Sequence, residues 1–222
     1  MIRKLLYSVA ITVLFGNAFI YGQQGKVDIT FNTLDDGLIG DGFDGTVQTL
    51  SLQSNQNLIV GGEYLHLNGI SSPYFTRLKP DGTIDESFHT GSGFNGKVYA
   101  TYIQPDGKII VAGSFTSYNG ISAGRLIRLN PDGSYDASFD TSIGATTGII
   151  YDIARQPDGK ILIVGSFTKY NNSTTNRIAR ILPSGALDTS FLSAWGSTSN
   201  INNVKVLIDG KILISGNFTA FN

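Results

Sequence analysis

The chain has 222 residues, of which 27 are glycine and none is cysteine, and its formal net charge is −1. The absence of cysteine excludes disulfide bonds and thiolate metal sites, and the near-neutral charge lacks the basic excess that nucleic acid binding requires. Short runs rich in Val, Ile, Thr, Tyr and Phe alternate with glycine-rich turns, which predicts an all-β fold.

Residues 1–22 have the pattern of a secretory signal peptide. Arg3 and Lys4 give it a basic start, and residues 5–15 form an apolar run. This run is shorter than the roughly 20 apolar residues that a helix needs to cross a membrane. We therefore expect export, a secreted or cell-surface location, and no membrane span once the signal is removed.

One sequence pattern recurs along residues 23–222. Its clearest copy, QPDGKIIVAGSFTSYNGISAGRLIRLNPDGSYDASF, covers residues 104–139, and QPDGKILIVGSFTKYNNSTTNRIARILPSGALDTSF covers residues 156–191. A more divergent copy covers residues 53–88, and a fourth begins at Ile208. The phenylalanines that end the three copies are 51 and 52 residues apart. A fixed period of about 51 residues is typical of propellers and other repeat arrays.

These repeats set the boundaries of the predicted blades. Residues 26–31 match the last strand of a repeat, so we expect a strand that comes before any complete unit. In a closed propeller such a leading strand completes the final blade and joins the two ends of the ring. Blades are then predicted at residues 43–88, 94–139 and 146–191, with a partial blade at residues 201–222.

Two turns of the type Pro-Asp-Gly divide each repeat. Proline presets φ at its turn position, and Gly107, Gly133 and Gly159 supply the positive φ that follows. Such turns join antiparallel neighbours, so each repeat is expected to form a four-stranded antiparallel blade. In the second unit the four strands are predicted at residues 98–104, 109–115, 125–129 and 135–139. A radial array of such blades is a β-propeller.

The repeated motif also resembles a known family. The pattern Q-P-D-G-K-I-x-V-x-G-x-F-T-x-Y-N, followed by R-L-x-P-D-G-x-x-D-x-S-F, resembles the delta-60 type β-propeller repeat, and the resemblance covers residues 26–222. It implies the propeller fold and export, because this repeat is common in secreted proteins of the Bacteroidetes, often beside a type IX secretion sorting domain. The family carries no catalytic assignment that transfers to this chain.

Three full blades and part of a fourth make an incomplete ring, since closed propellers have four or more blades. An open array would expose an unpaired strand edge and an apolar blade face. We therefore expect the ring to close with further blades or by pairing with another chain.

An arginine and an aspartate recur eight residues apart in each repeat. Across a hairpin these two positions are neighbours, so a cross-strand ion pair is expected. Because an active site is normally unique in a ring, recurrence favours a structural role. The three pairs are Arg77 with Asp85, Arg128 with Asp136, and Arg180 with Asp188.

One glycine-rich loop contains a group of carboxylates. Asp35, Asp36, Asp41 and Asp44 are oxygen donors of the kind that calcium prefers, although the order of an EF-hand loop is absent. The two interpretations are a calcium site and a solvated acidic loop. No other cofactor is indicated.

A single tryptophan lies in a loop rich in serine, asparagine and glycine. An exposed indole among hydroxyl and amide groups can form a sugar-binding platform, because rings stack on sugars while polar groups orient them. Since most indoles are buried, the alternative is that Trp195 fills the gap between two blades.

The sequence thus favours a non-catalytic extracellular module that binds a glycan or a protein. A secreted propeller enzyme, such as a polysaccharide hydrolase or lyase, is the alternative, and it needs paired carboxylates or a histidine at one mouth of the channel. A structural spacer within a larger surface protein is a third hypothesis. The residues that do not recur, and are therefore candidates for catalysis, are Asp41, Asp44, Glu63, His66 and His89.

Overall fold

The computed structural model describes residues 31–32, 42–141, 143–191 and 196–221, which form seventeen β-strands. No helix among them is long and apolar enough to cross a membrane. The first blade contains β1 (Val47–Leu52), β2 (Leu58–Gly62), β3 (His66–Leu67), β4 (Ile70–Ser71) and β5 (Phe75–Leu78). The second contains β6 (Val98–Ile103), β7 (Ile109–Gly113), β8 (Ser117–Tyr118), β9 (Ile121–Ser122) and β10 (Leu126–Leu129). The third contains β11 (Ile150–Arg155), β12 (Ile161–Gly165), β13 (Lys169–Tyr170), β14 (Ser173–Thr174) and β15 (Ile178–Ile181), and the fourth contains β16 (Ile201–Val206) and β17 (Ile212–Gly216).

Each complete blade is an antiparallel sheet with its second strand in the centre. The strand orders are β1-β2-β5, β6-β7-β10 and β11-β12-β15, while β16 pairs with β17. The central strands β7 and β12 are apolar throughout and buried on both faces, as expected for a sheet covered on each side. The prediction of an all-β propeller with an incomplete ring is confirmed, because the described sheets do not close.

The fourth strand of each blade is much shorter than the pattern suggested. In the second blade, residues 135–139 contribute one bridge, between Tyr135 and Leu129, instead of a continuous strand. Directly afterwards the Asp136 carboxylate accepts hydrogen bonds from the backbone N–H and the hydroxyl of Ser138. These bonds turn the backbone away from the sheet, since aspartate readily accepts from the residue two positions on.

A short ribbon that the pattern did not predict joins the second and third strands. In the second blade it consists of β8 and β9, and Asn119 and Gly120 between them have φ values of 47° and 76°. Two positive φ values define the type I′ turn that suits a two-residue hairpin. The ribbon directs Tyr118 into the core, where its hydroxyl donates to the Gly133 carbonyl at 2.6 Å.

The hydrophobic core lies between neighbouring blades. Ile110 and Ala112 of β7 belong to one buried cluster with Ile161 and Ile163 of β12. The first strands of the blades also contact one another in order, β1 with β6, β6 with β11 and β11 with β16. These four strands therefore form the innermost layer of the array, and their side chains define its axial surface.

Residues 31–32 occupy a position that two other segments also take. The Asn32 N–H donates to the Asp81 carbonyl at 2.7 Å, as His89 does to Asp132 and Asp140 to Ser184. In the latter two cases the donor follows the end of one repeat and the acceptor lies in the next blade. Residues 31–32 thus sit against the first blade as the end of a preceding repeat would. The rest of the predicted leading strand and the predicted signal peptide lie outside the described residues.

Candidate functional site

All four innermost strands carry an irregularity at the same place. In β6, Val98 pairs with Gly113 and Ala100 pairs with Ala112, so Tyr99 is an extra residue without a partner. The equivalent extra residues in the other three blades are Gln48, Tyr151 and Asn202. A β-bulge of this kind re-aims the side chain of the inserted residue.

A glycine opposite each bulge makes room for it. A Cβ atom at Gly113 would overlap the carbonyl oxygen of Lys97, the residue that precedes β6. That carbonyl accepts the Ser114 N–H at 2.9 Å, and this hydrogen bond holds the two backbone segments close together. The glycines at the other three bulges are Gly62, Gly165 and Gly216, and each meets the equivalent backbone oxygen. The bulge is therefore built into the repeat.

The bulge residues open into a polar pocket on the axial surface. Its volume is about 350 Å³. The rings of Tyr99 and Tyr151 meet there edge to face, with centroids 5.6 Å apart and planes at 86°. The residues that line the pocket are Gln48, Thr49, Tyr99, Ala100, Thr101, Tyr151, Asp152, Asn202 and Asn203.

Two hydrogen bonds between blades and one within a strand fix the side chains at the base of this pocket. The hydroxyls of Thr49 and Thr101 lie 3.0 Å apart. Asp152 accepts the backbone N–H of Val204 from the next blade at 2.8 Å, and that of Ile153 at 2.8 Å. Burial raises the pKa of the Asp152 carboxyl, against the lowering effect of these two hydrogen bonds. The pocket therefore contains an acidic group in a partly dehydrated position.

An ion pair lies beside the same pocket. Lys97 Nζ is 2.6 Å from Glu63 Oε2, and the Gln48 side chain donates to Glu63 Oε1 at 3.2 Å. Burial, followed by the charge of Glu63, raises the pKa of the Tyr99 hydroxyl. Tyr99 therefore stays a neutral hydrogen-bonding group over the physiological pH range.

Two of the residues considered for catalysis come together at a loop corner. Asp44 Oδ2 lies 2.7 Å from His66 Nδ1, and Asp44 Oδ1 accepts the backbone N–H groups of Leu65 and His66. In the second blade Asn95 accepts the equivalent N–H groups of Thr116 and Ser117. The Asn95 amide thus accepts the same two backbone hydrogen bonds as the Asp44 carboxylate. We therefore interpret Asp44 as a structural cap of this loop corner and not as a catalytic group.

The Asp44 cap is expected to persist into strong acid. Hydrogen bonds from the His66 backbone and ring, and then from the Leu65 backbone, lower the pKa of Asp44 to about 2. Because this folded-state pKa lies below the ordinary value, the stabilisation is present above the pKa of the unfolded chain and is lost as the pH falls through about 2. An NMR titration of the Asp44 carboxyl carbon should give this midpoint, and an unshifted midpoint would contradict it. Asp44→Asn should keep the fold at neutral pH.

The recurring arginines and aspartates form one cluster per blade. In the first two blades, Arg77 Nε lies 2.8 Å from Asp85, and Arg128 Nε lies 2.6 Å from Asp136. In the third, Arg180 Nε lies 2.8 Å from Asp188. The guanidinium carbons also lie 4.4 to 4.7 Å from the centroids of Phe88, Phe139 and Phe191. Ion pairing and cation–π contact thus coincide.

A serine completes each of these clusters, together with a lysine in the second and third blades and with Asn57 in the first. Lys160 Nζ lies 3.1 Å from Asp188, and the Ser190 hydroxyl donates to the same carboxylate at 2.6 Å. The Ser190 hydrogen bond, opposed by burial and aided by Lys160 and Arg180, lowers the pKa of Asp188. The carboxylate therefore stays ionised and anchors the turn at the end of the repeat.

The remaining predicted site residues lie elsewhere. Asp35, Asp36, Asp41 and Trp195 are outside the described residues. Within residues 42–141, 143–191 and 196–221, no three acidic or histidine side chains group as metal ligands would. His89 Nδ1 lies 2.7 Å from the carbonyl oxygen of Ser87, in its own loop.

The bulge residues were missed because each looks like an ordinary strand residue. A signal was nevertheless present in the alignment of the repeats. The innermost strands begin VQT, VYA, IYD and INN, so the first position is always a β-branched aliphatic residue while the second and third vary. Variable positions inside an otherwise repeated strand mark side chains that the core does not constrain.

Comparisons with known proteins point to the same fold. Residues 53–88, 104–139 and 156–191 each match the model of a β-propeller domain of unknown function, DUF5122. A comparison with curated protein sequences found no match. Among solved structures, the WD40 β-propeller domain of Doa1 superposes with a TM-score of 0.51 at 16% identity, over 77% of this chain and 48% of that one.

Two enzymes are among the other similar structures. Virginiamycin B lyase from Staphylococcus aureus gives a TM-score of 0.47 at 15% identity, over 78% of this chain and 49% of the lyase. A gluconolactonase from Xanthomonas campestris gives 0.48 at 13% identity, over 81% and 58%. The chain spans about half the length of the first two of these structures, and at such identities the likeness concerns the fold alone. Together, the matched segments and the observed blades identify the chain as a β-propeller repeat protein whose repeats match the DUF5122 family.

Proposed function

We propose that this chain is a non-catalytic binding module that acts outside the cell and holds a glycan in the pocket of its innermost strands. The observation that carries the proposal is the set of four bulge residues, which include three residue types while the surrounding repeat is kept. Two of them, Tyr99 and Tyr151, bring aromatic rings to the pocket, and Gln48 and Asn202 bring amides.

The chemistry of the pocket suits a sugar. Aromatic rings offer apolar faces to the C–H groups of a pyranose, while amide, hydroxyl and carboxylate groups can bind its hydroxyls. A volume of about 350 Å³ lies at the small end of the usual range for ligand pockets. This size suits the end of a glycan chain better than a folded protein surface.

The extracellular part of the proposal rests on the amino-terminal sequence. Residues 1–22 have a basic start and an apolar run of signal-peptide type. The resemblance of the repeats to the delta-60 type supports secretion through the type IX route.

A hydrolase or lyase fits the pocket less well. Glycoside hydrolysis usually requires two carboxyl groups on opposite sides of the scissile bond. Among the described residues that line the pocket, Asp152 is the only carboxylate, and both of its oxygens accept backbone hydrogen bonds. An inter-blade clamp accounts for this arrangement.

Tyr151→Ala should weaken glycan binding about tenfold or more, because a lost stacking contact and its buried area together amount to at least about 1.4 kcal/mol. Tyr151→Phe keeps the ring and should bind nearly as the natural protein does. A glycan array identifies the ligand, and calorimetry with that ligand measures the ratio. Leu65→Ala, at an exposed position outside the pocket, is the matched control.

Two results would count against the proposal. Equal affinity of the natural protein and the Tyr151→Ala variant would place the ligand elsewhere. An array without any bound glycan, combined with capture of a purified surface protein, would favour the protein-binding alternative.

A further inference from the structure

The axial pocket contains a carboxylate whose charge no described cation balances. Asp152 lines the pocket and is partly exposed there. None of the ion pairs among the described residues involves Asp152, and no lysine, arginine or histidine is among the residues that line the pocket. The lysine beside the pocket, Lys97, is already paired with Glu63 at 2.6 Å. The pocket therefore carries one unbalanced negative charge when Asp152 is ionised.

The fold does not require a charge at this position of the innermost strand. The equivalent residues in the other three blades are neutral, and they are Thr49, Ala100 and Asn203. Asp152 does join two blades, because one of its oxygens accepts the Val204 N–H and the other accepts an N–H of its own strand. Each carboxylate oxygen has two lone pairs, so these two backbone bonds leave capacity for a ligand.

Two amide side chains of the lining use their NH2 groups outside the pocket. Gln48 donates to Glu63 at 3.2 Å, and the direction is fixed because an ionised carboxylate can only accept. Asn203 donates to Ser215 at 3.2 Å. Neither Glu63 nor Ser215 lines the pocket, and no described residue donates to the oxygens of these two amides. Together with Asp152, they make the lining rich in hydrogen-bond acceptors.

The two tyrosine rings of the pocket also attract positive charge. Tyr99 and Tyr151 are both partly exposed, and their planes meet at 86°. In such an edge-to-face pair, the ring that presents its edge keeps both of its faces free of the other ring. The face of an aromatic ring is negative and attracts cations. A carboxylate, acceptor oxygens and an aromatic face are therefore present in one pocket.

We propose that this pocket selects a hexosamine with a free, protonated amino group, which binds the Asp152 carboxylate. The inference rests on the proposed glycan function and names the class of sugar. An ammonium group has three donors and no acceptor, so it matches both the carboxylate and the amide oxygens of Gln48 and Asn203. A hydroxyl or an N-acetyl group at the same carbon carries no charge and leaves Asp152 unbalanced.

The test uses the full chain and an array of short oligosaccharides whose terminal sugar carries an amine, a hydroxyl or an N-acetyl group at one carbon. We expect the amine form to bind about tenfold tighter than the other two, since hydrogen bonds between charged groups are about twice as strong as neutral ones. The hydroxyl form controls for size, because it occupies nearly the same volume as the amine. Added salt should reduce the preference, because it screens a partly exposed pair.

Asp152→Asn should remove the preference, so that calorimetry gives similar affinities for the three forms. The asparagine keeps an acceptor for the Val204 N–H. Asp106→Asn, which removes a charge from an exposed turn outside the pocket, is the matched control and should keep the preference. The comparison of the three sugars needs only the natural protein, so it remains decisive even if Asp152→Asn does not fold.

Equal binding of the three forms would overturn the inference and leave the glycan function standing. A preference for the amine that persists in folded Asp152→Asn would also overturn it, because the charge would then act from elsewhere. An array on which no form binds would overturn both the glycan function and this inference. Capture of a lysine-containing peptide in place of every sugar would do the same, in favour of a protein ligand.

Discussion

Arg128→Ala is expected to lower the free energy of unfolding by about 3 kcal/mol, near the lower end of the range for breaking a buried ion pair. Arg128 binds Asp136 at 2.6 Å, donates to the Pro183 carbonyl of the next blade at 3.1 Å and lies over the Phe139 ring at 4.7 Å. Its loss leaves a buried carboxylate with Lys108 as the one remaining cation among the described residues. Urea denaturation followed by circular dichroism measures the change.

Arg180→Ala is the matched control for this experiment. Arg180 makes the same pair with Asp188, but it is more exposed, and no described residue offers it a carbonyl from a following blade. We expect a clearly smaller loss of stability than for Arg128→Ala, and equal losses would contradict the importance of the inter-blade bond. The double change Arg128→Met with Asp136→Asn should recover part of the stability, because it leaves no unpaired buried carboxylate and keeps an acceptor for the Ser138 N–H.

Gly165→Ala should destabilise the third blade by about 2–3 kcal/mol, as expected for overpacking against rigid atoms. The new Cβ would overlap the carbonyl oxygen of Ile149, which is backbone and accepts the Ser166 N–H at 2.9 Å. The strand can accept the methyl group only if the bulge at Tyr151 shifts. We therefore also expect weaker glycan binding by Gly165→Ala at a temperature where the protein is still folded.

Gly120→Ala separates crowding from backbone strain. Gly120 has a φ of 76°, but no atom lies within 4 Å of the position of a new Cβ. The cost should be about 1 kcal/mol, that of an L-residue in the left-handed region, and the pocket should be unaffected. A larger loss than for Gly165→Ala would show that backbone strain at Gly120 costs more than crowding at the bulge, and would contradict this prediction.

The propeller fold could be predicted from the sequence because its determinants are local and repeated. Turn glycines such as Gly107 and Gly133, with φ of 84° and 89°, fix where each hairpin reverses. The length of the fourth strand could not be predicted in the same way. Tyr135 begins an alternating pattern that suits a strand, but the Asp136 carboxylate captures the Ser138 N–H and ends the pairing.

The candidate pocket could not be located from the sequence because it depends on the pairing register between the first and second strands of each blade. A strand pattern assigns each residue to one face or the other, and a bulge breaks that rule for the residue inserted, as at Tyr99. The residues chosen from composition, such as Trp195 and Asp44, were selected for what their side chains can do. Composition does not say which of them lie next to one another.

The hydrogen bonds that Arg77 and Arg128 make to the following blade have a consequence for how the molecule unfolds. Each bond joins one blade to its immediate neighbour, so the stability of a blade depends directly on that of the blades next to it. Linear repeat proteins have nearest-neighbour coupling of the same kind. Opening can then begin at a blade with few couplings and cost only one interface. By this logic the second blade, which makes such a bond to each neighbour, is the most persistent of the three complete blades.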